Sequence, residues 1–78
     1  MIRKLFKVGE LIENSGLSRQ MVHYYTQLGL INEARRTPAG HRLYKEDVFK
    51  RIKRIKTLQS KGMTLLEIKK VINGGRID

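Results

Sequence analysis

Arg19, Gln20 and His23 fall close together, and each of these side chains can bond to the edge of a nucleic-acid base. Arginine donates two parallel bonds to guanine O6 and N7, glutamine pairs with adenine N6 and N7, and histidine can donate or accept. If the segment is helical they share one face, because residues three and four apart are neighbours on a helix. Thr26 and Gln27 extend that face, while Met21, Val22, Tyr25 and Leu28 form an apolar stripe on the other side. Tyr25 reads as core. Tyr24 lies at the edge of the stripe, where it is either a half-buried packing residue or one whose hydroxyl reaches a phosphate. Any amphipathic helix has a polar outside, so this face gains meaning only from its surroundings.

A second group of cations follows. Arg35, Arg36 and Arg42 flank Thr37-Pro38-Ala39-Gly40, where proline suits position i+1 and glycine position i+3 of a type I turn. The pattern predicts a β-hairpin with arms Glu33 to Arg36 and His41 to Tyr44. Three guanidiniums with Glu33 as their one local acid make a poor internal salt-bridge set, so phosphate or minor-groove contact is the expected role. Catalytic readings are weaker. His23 and His41 stand 18 residues apart with no cysteine in the chain, and Ser15, Ser18 and Ser60 have no evident base. Neither phosphate-cradling glycine pattern occurs, so no enzymatic activity, metal site or cofactor is expected.

These residues need elements to carry them. Val8, Leu11 and Ile12 sit at helical spacing from Lys7 until Asn14-Ser15-Gly16 ends the run. Ser18 is a good N-cap for the next helix, which Gly29 ends. Helix, glycine turn and helix over about 7–28 read as a helix-turn-helix, and the hairpin over about 31–44 reads as a wing. A third helix over about 46–61 turns Val48, Ile52, Ile55 and Leu58 inward with Phe49 at the margin. Lys50, Lys53, Arg54 and Lys61 lie opposite, and Arg51 and Lys56 flank the stripe. Thr64-Leu65-Leu66-Glu67 is a capping box opening a fourth helix over about 64–73, with Gly74-Gly75 as its end. Met63 to Leu66 are too apolar at that helix start for base reading. The expected fold is mainly α: a winged helix-turn-helix of two short helices, a β-hairpin wing and two further helices, forming a single domain across residues 1–78.

Charge locates the partner. The chain has 78 residues, 17 Lys plus Arg against 7 Asp plus Glu, and a net charge of +10. Residues 35–61 hold ten bases and two acids, so most of the excess sits in the wing and third helix. Nucleic acid, an anionic membrane surface and an acidic protein are the partner classes such a patch allows. The apolar runs are too short for a membrane span or a signal peptide, and a cytoplasmic location is expected.

Phe6-Lys7-Val8-Gly9-Glu10-Leu11, Gly16-Leu17-Ser18, His23-Tyr24-Tyr25, Gly29-Leu30, Arg35-Arg36, Gly40-His41-Arg42-Leu43-Tyr44, Asp47-Val48 and Gly62 stand in order through the chain. In this, residues 5–73 resemble the N-terminal DNA-binding domain of the MerR family of bacterial transcription regulators. The resemblance implies operator binding to double-stranded DNA as a homodimer, through a C-terminal helix absent from this chain, with RNA polymerase engaged at the promoter. It places Ser18, Arg19, Gln20, His23 and Tyr24 in the groove and on its phosphates, and Arg36, Arg42 and Tyr44 in the wing, where the hairpin's own residues add Arg35 as a DNA contact. Three positions depart from the family pattern. His23 stands where an arginine is usual, His41 replaces a wing tyrosine, and Lys45 replaces the serine that caps the third helix. The chosen reading is sequence-specific duplex-DNA binding in transcription regulation. Its alternatives are a stand-alone architectural, excisionase-like DNA protein and a binder of anionic membranes or acidic proteins through the third helix.

Overall fold

Helix boundaries in the computed structural model, which describes residues 4–73, fall where unpaired backbone groups find partners. The order is β1 (Phe6–Lys7), α1 (Val8–Ser15), α2 (Arg19–Leu28), β2 (Arg35–Arg36), β3 (Arg42–Tyr44), α3 (Asp47–Ser60) and α4 (Leu65–Ile72). The first four N–H groups of a helix have no intrahelical acceptor. Ser18 supplies one at α2, its hydroxyl accepting from the Met21 amide at 3.1 Å. Thr64 and Glu67 complete a reciprocal box at α4, with Glu67 Oε1 accepting from the Thr64 amide at 2.9 Å and Thr64 Oγ1 from the Glu67 amide at 3.2 Å. Glu10 accepts from the Lys7 amide at 2.9 Å and so covers the start of α1. At α3 the cap position is Glu46, which makes no side-chain cap bond. Tight first-turn bonds replace it, from the Val48 amide to the Lys45 carbonyl and from the Phe49 amide to the Glu46 carbonyl, both 3.1 Å.

Gly16, at φ 76°, breaks the chain between α1 and α2 in a left-handed conformation that a side chain would strain, and its amide still bonds to the Ile12 carbonyl. Gly40, at φ 87°, does the same at the wing tip, where its amide donates to the Thr37 carbonyl at 2.8 Å as the proline-glycine pattern predicts. The wing is wider than the expected hairpin. β1 pairs antiparallel with β3 on the side away from β2, giving the order β1-β3-β2 with Phe6 opposite Tyr44 and Arg36 opposite Arg42. Phe6 then meets Phe49 edge to face, ring centres 4.9 Å apart, which fastens the sheet to α3.

Leu11 of α1, Val22 and Tyr25 of α2, Ile52 and Ile55 of α3 and Ile68 of α4 meet in one core. Each buried aliphatic or aromatic side chain contributes about 1.5–3 kcal/mol relative to exposure. Leu30 and Ile31, fully buried after α2, anchor the exit toward the wing. The Gly74-Gly75 stop proposed for α4 lies outside the described residues. Among the described residues, no helix is long and apolar enough to cross a membrane.

Two cations beside the α3 stripe close the helix ends of other elements. Lys56 donates to the Ser15 carbonyl at the last turn of α1, which has no basic residue of its own. Arg51 donates from Nε to the Leu30 carbonyl at 2.6 Å and from Nη2 to the Asn73 side chain. Asn73 in turn donates to the Gly29 carbonyl at 3.1 Å, so α2, α3 and α4 are tied at one corner.

Candidate nucleic-acid interface

The outer face of α2 is built by its burial pattern. Val22 and Tyr25 are driven inward, which turns the exposed Arg19, Gln20, Tyr24 and Gln27 out, with His23 half-buried between them and the wing. Tyr24 is 45% exposed, in contrast to the buried ring of its neighbour. Tyr25 is buried and donates to Gln59 Oε1 at 3.1 Å, and burial pushes its hydroxyl pKa up.

The start of α2 is electrostatically unfinished. A helix N-terminus carries a partial positive charge and favours acids, yet the first turn of α2 has none and places Arg19 there instead. Arg19 has no ion-pair partner among the described residues. Ser18 covers the Met21 amide, and an anion is the complement for the remaining positive potential.

Two residues of the expected set behave differently. Tyr44 is fully buried, and Thr26, placed on the outer face by periodicity alone, is half-buried against it. Thr26 donates its hydroxyl proton to the Val22 carbonyl at 2.8 Å, so the 2.8 Å contact to Tyr44 has the phenol as donor. Tyr44 is therefore a corrected assignment: its ring is packed in the core cluster with Val22, Tyr25 and Val48, and its hydroxyl is taken up by Thr26. It joins β3 to α2 instead of standing on the wing surface.

The wing arginines are also more organised than their sequence spacing suggests. Arg36 and Arg42 are cross-strand partners, and two like charges there repel. Glu33 resolves this. Its Oε2 accepts from Arg36 Nε at 2.6 Å, and its Oε1 accepts from Arg36 Nη2 at 3.2 Å and Arg42 Nε at 2.9 Å. The bond to Arg36, followed by its charge and by Arg42, holds the Glu33 carboxyl below the ordinary carboxylate range. Where the sequence predicts a poor internal salt-bridge set, a single carboxylate serves two of the three arginines. Arg35 points to the other face of its strand and is exposed, without an ion-pair partner among the described residues.

Helix α2 and the wing meet directly. Arg42 Nη1 lies 2.9 Å from His23 Nδ1, a link that 19 residues of separation hide from sequence reading. Arg19, His23, His41 and Arg42 line an open cleft between α2 and the wing, with Glu10 and Glu13 of α1 on its far wall. Lys4 at 3.3 Å neutralises Glu10, whose pKa is lowered first by the bond from the Lys7 amide.

Comparison with known proteins agrees with this arrangement. The sequence profile described as "MerR HTH family regulatory protein" matches residues 6–75. The mercuric resistance operon regulatory protein of Bacillus cereus is 40% identical over 67 residues, covering 86% of this chain and 51% of the relative. The N-terminal part of the Bacillus subtilis multidrug transporter activator superposes with a TM-score of 0.83 at 32% identity, over 94% of this chain and 69% of that one. A MerR-family transcriptional regulator from Bacillus cereus shares the fold at a TM-score of 0.82 and 24% identity, over 96% of this chain and 56% of that one. The chain thus spans about half the length of the mercuric regulator it matches.

Proposed function

The chain belongs to the MerR family of helix-turn-helix regulatory proteins, and from that premise we propose that it reads duplex DNA through α2 and the wing. Arg19 and Gln20 supply base contacts at the start of the recognition helix, where such helices meet base edges. Ser18, Tyr24, Arg35 and the free donors of Arg36 and Arg42 contact phosphates and set the register. The observation that carries this reading is the first turn of α2, a cation-bearing helix start without an acid that leaves a site for an anion.

The regulatory setting rests on the family and its regulators. Homodimerisation on a near-palindrome, contact with RNA polymerase and a cytoplasmic location belong to the same proposal, as does the lack of a catalytic role. The architectural alternative is not favoured by relatives that are transcription regulators. Salt titration tests the DNA reading. About five phosphates neutralised per subunit give a slope of log affinity against log salt near −4.5. A flat salt response overturns it.

A further inference from the structure

Arginine has donors and no acceptor. The 2.9 Å contact between Arg42 Nη1 and His23 Nδ1 therefore requires Nδ1 to be the acceptor, with no proton of its own. A neutral imidazole then carries its proton on Nε2. Arg42 cannot turn away freely, because its Nε is held by Glu33 at 2.9 Å and Glu33 is also held by Arg36. Wing residues thus impose one tautomer on a residue of the recognition helix. Glu10, Glu13 and His41 line the same cleft, and none of them accepts from Nε2. Nε2 is left as a donor without a protein partner among the described residues, one helical turn beyond Arg19.

We propose that Arg42 is a positioning residue that fixes His23 as a hydrogen-bond donor, and that His23 uses this donor to select guanine in the major groove. The inference rests on the duplex-DNA reading above and adds to it a specificity determinant. Base-edge chemistry makes the choice. Guanine offers two adjacent acceptors, N7 and O6, and adenine sets a donor beside its N7. Cytosine presents a donor that would face the Nε2 proton, and thymine offers one acceptor, O4, flanked on one side by the C5-methyl group, where guanine offers two. A histidine free to exchange tautomers would accept from adenine or cytosine as readily, so the bond from the wing is what makes the side chain discriminate. Arg42 then has a selective role through His23 in addition to any phosphate contact.

Two measurements test this. Long-range proton–nitrogen correlation spectra of the free full chain identify which imidazole nitrogen of His23 is protonated. The expected result is the Nε2–H form alone in the wild type and a mixture of both forms in Arg42→Ala. A wild-type spectrum showing Nδ1–H, or an even mixture, overturns the proposal without touching DNA binding. In the second, duplexes recovered by binding selection are remade with 7-deazaguanine at each guanine in turn. One position per half-site should lose about 3- to 10-fold in affinity for the wild type, the worth of a single hydrogen bond, and nothing for His23→Ala. If every duplex binds the wild type equally, or His23→Ala weakens all sequences alike as loss of a phosphate contact would, the proposal fails while the DNA reading stands. Failure to bind any duplex overturns both.

Discussion

Replacing Glu33 by glutamine removes the negative charge that stands between two arginines facing each other across the wing. In the native wing that carboxylate accepts three bonds, two from Arg36 and one from Arg42. The glutamine side chain is nearly the same size, so the strands need not repack, but its amide nitrogen cannot accept and the charge is gone. Two effects of opposite value follow. One more unbalanced positive charge per subunit steepens the salt dependence of DNA binding by up to about 0.9, so a tenfold dilution of salt gains about eightfold more affinity than in the wild type. The freed Arg42 no longer has a fixed bearing on His23, and the ratio of selected to random DNA binding should fall by about fivefold or more, the smallest loss typical of one mismatched base pair. Fluorescence anisotropy with one selected and one random duplex, across a salt series, reads both numbers. Tighter binding to random DNA together with poorer selectivity is the expected result. A variant that keeps the wild-type slope and ratio would refute the claim that Glu33 organises the wing arginines.

Arg51→Met should act on stability alone. It leaves the fully buried Leu30 without its 2.6 Å carbonyl partner, at about 1–3 kcal/mol, or roughly 4–20 °C in melting temperature for a domain of this size, with no change in the salt slope. A flatter slope would place Arg51 at the DNA instead. Tyr44→Phe should cost about 1 kcal/mol by thermal melting, and its DNA affinity should stay within twofold of the wild type; a large affinity loss in a stable variant would return Tyr44 to the interface. Glu10, Glu33 and Glu67 all have folded-state pKa values lowered by hydrogen bonds and nearby cations. The folded state then binds fewer protons than the unfolded one in acid, so this stabilisation is complete above about pH 5 and is lost as pH falls through the lowered values. Urea midpoints should decline over that range, and Thr64→Ala, losing about 1 kcal/mol of capping, should decline less steeply. Midpoints constant from neutral pH to pH 3 would contradict the assignment.

What the sequence disclosed and what it hid follow from range. Ser18, Thr64 with Glu67, and the turn at Pro38 and Gly40 are local devices, so their spacing reports them directly. The stripes of Val22 with Tyr25 and of Ile52 with Ile55 carry the helical period and were legible for the same reason. β1 was not, because Phe6–Lys7 is too short to display alternation and gains its identity only from pairing with β3. Helical periodicity alone puts Thr26 on the outer face, because it carries no information about Tyr44, which approaches from 18 residues away. One acid against three arginines is a poor ratio along the chain, but the hairpin sets Glu33 between two of them. Arg51 and Lys56 flank the apolar stripe in the helical period, and only the assembled helices reveal the carbonyls they serve.

Reading of duplex sequence by α2, with the wing beside it, predicts a definite binding motif. Selection of bound fragments from a random duplex pool, followed by sequencing, tests it most directly. The expected outcome is a recurrent motif whose two halves lie about one helical turn apart, with Arg19→Ala erasing preference at one position of each half. A recovered pool indistinguishable from the input would contradict it.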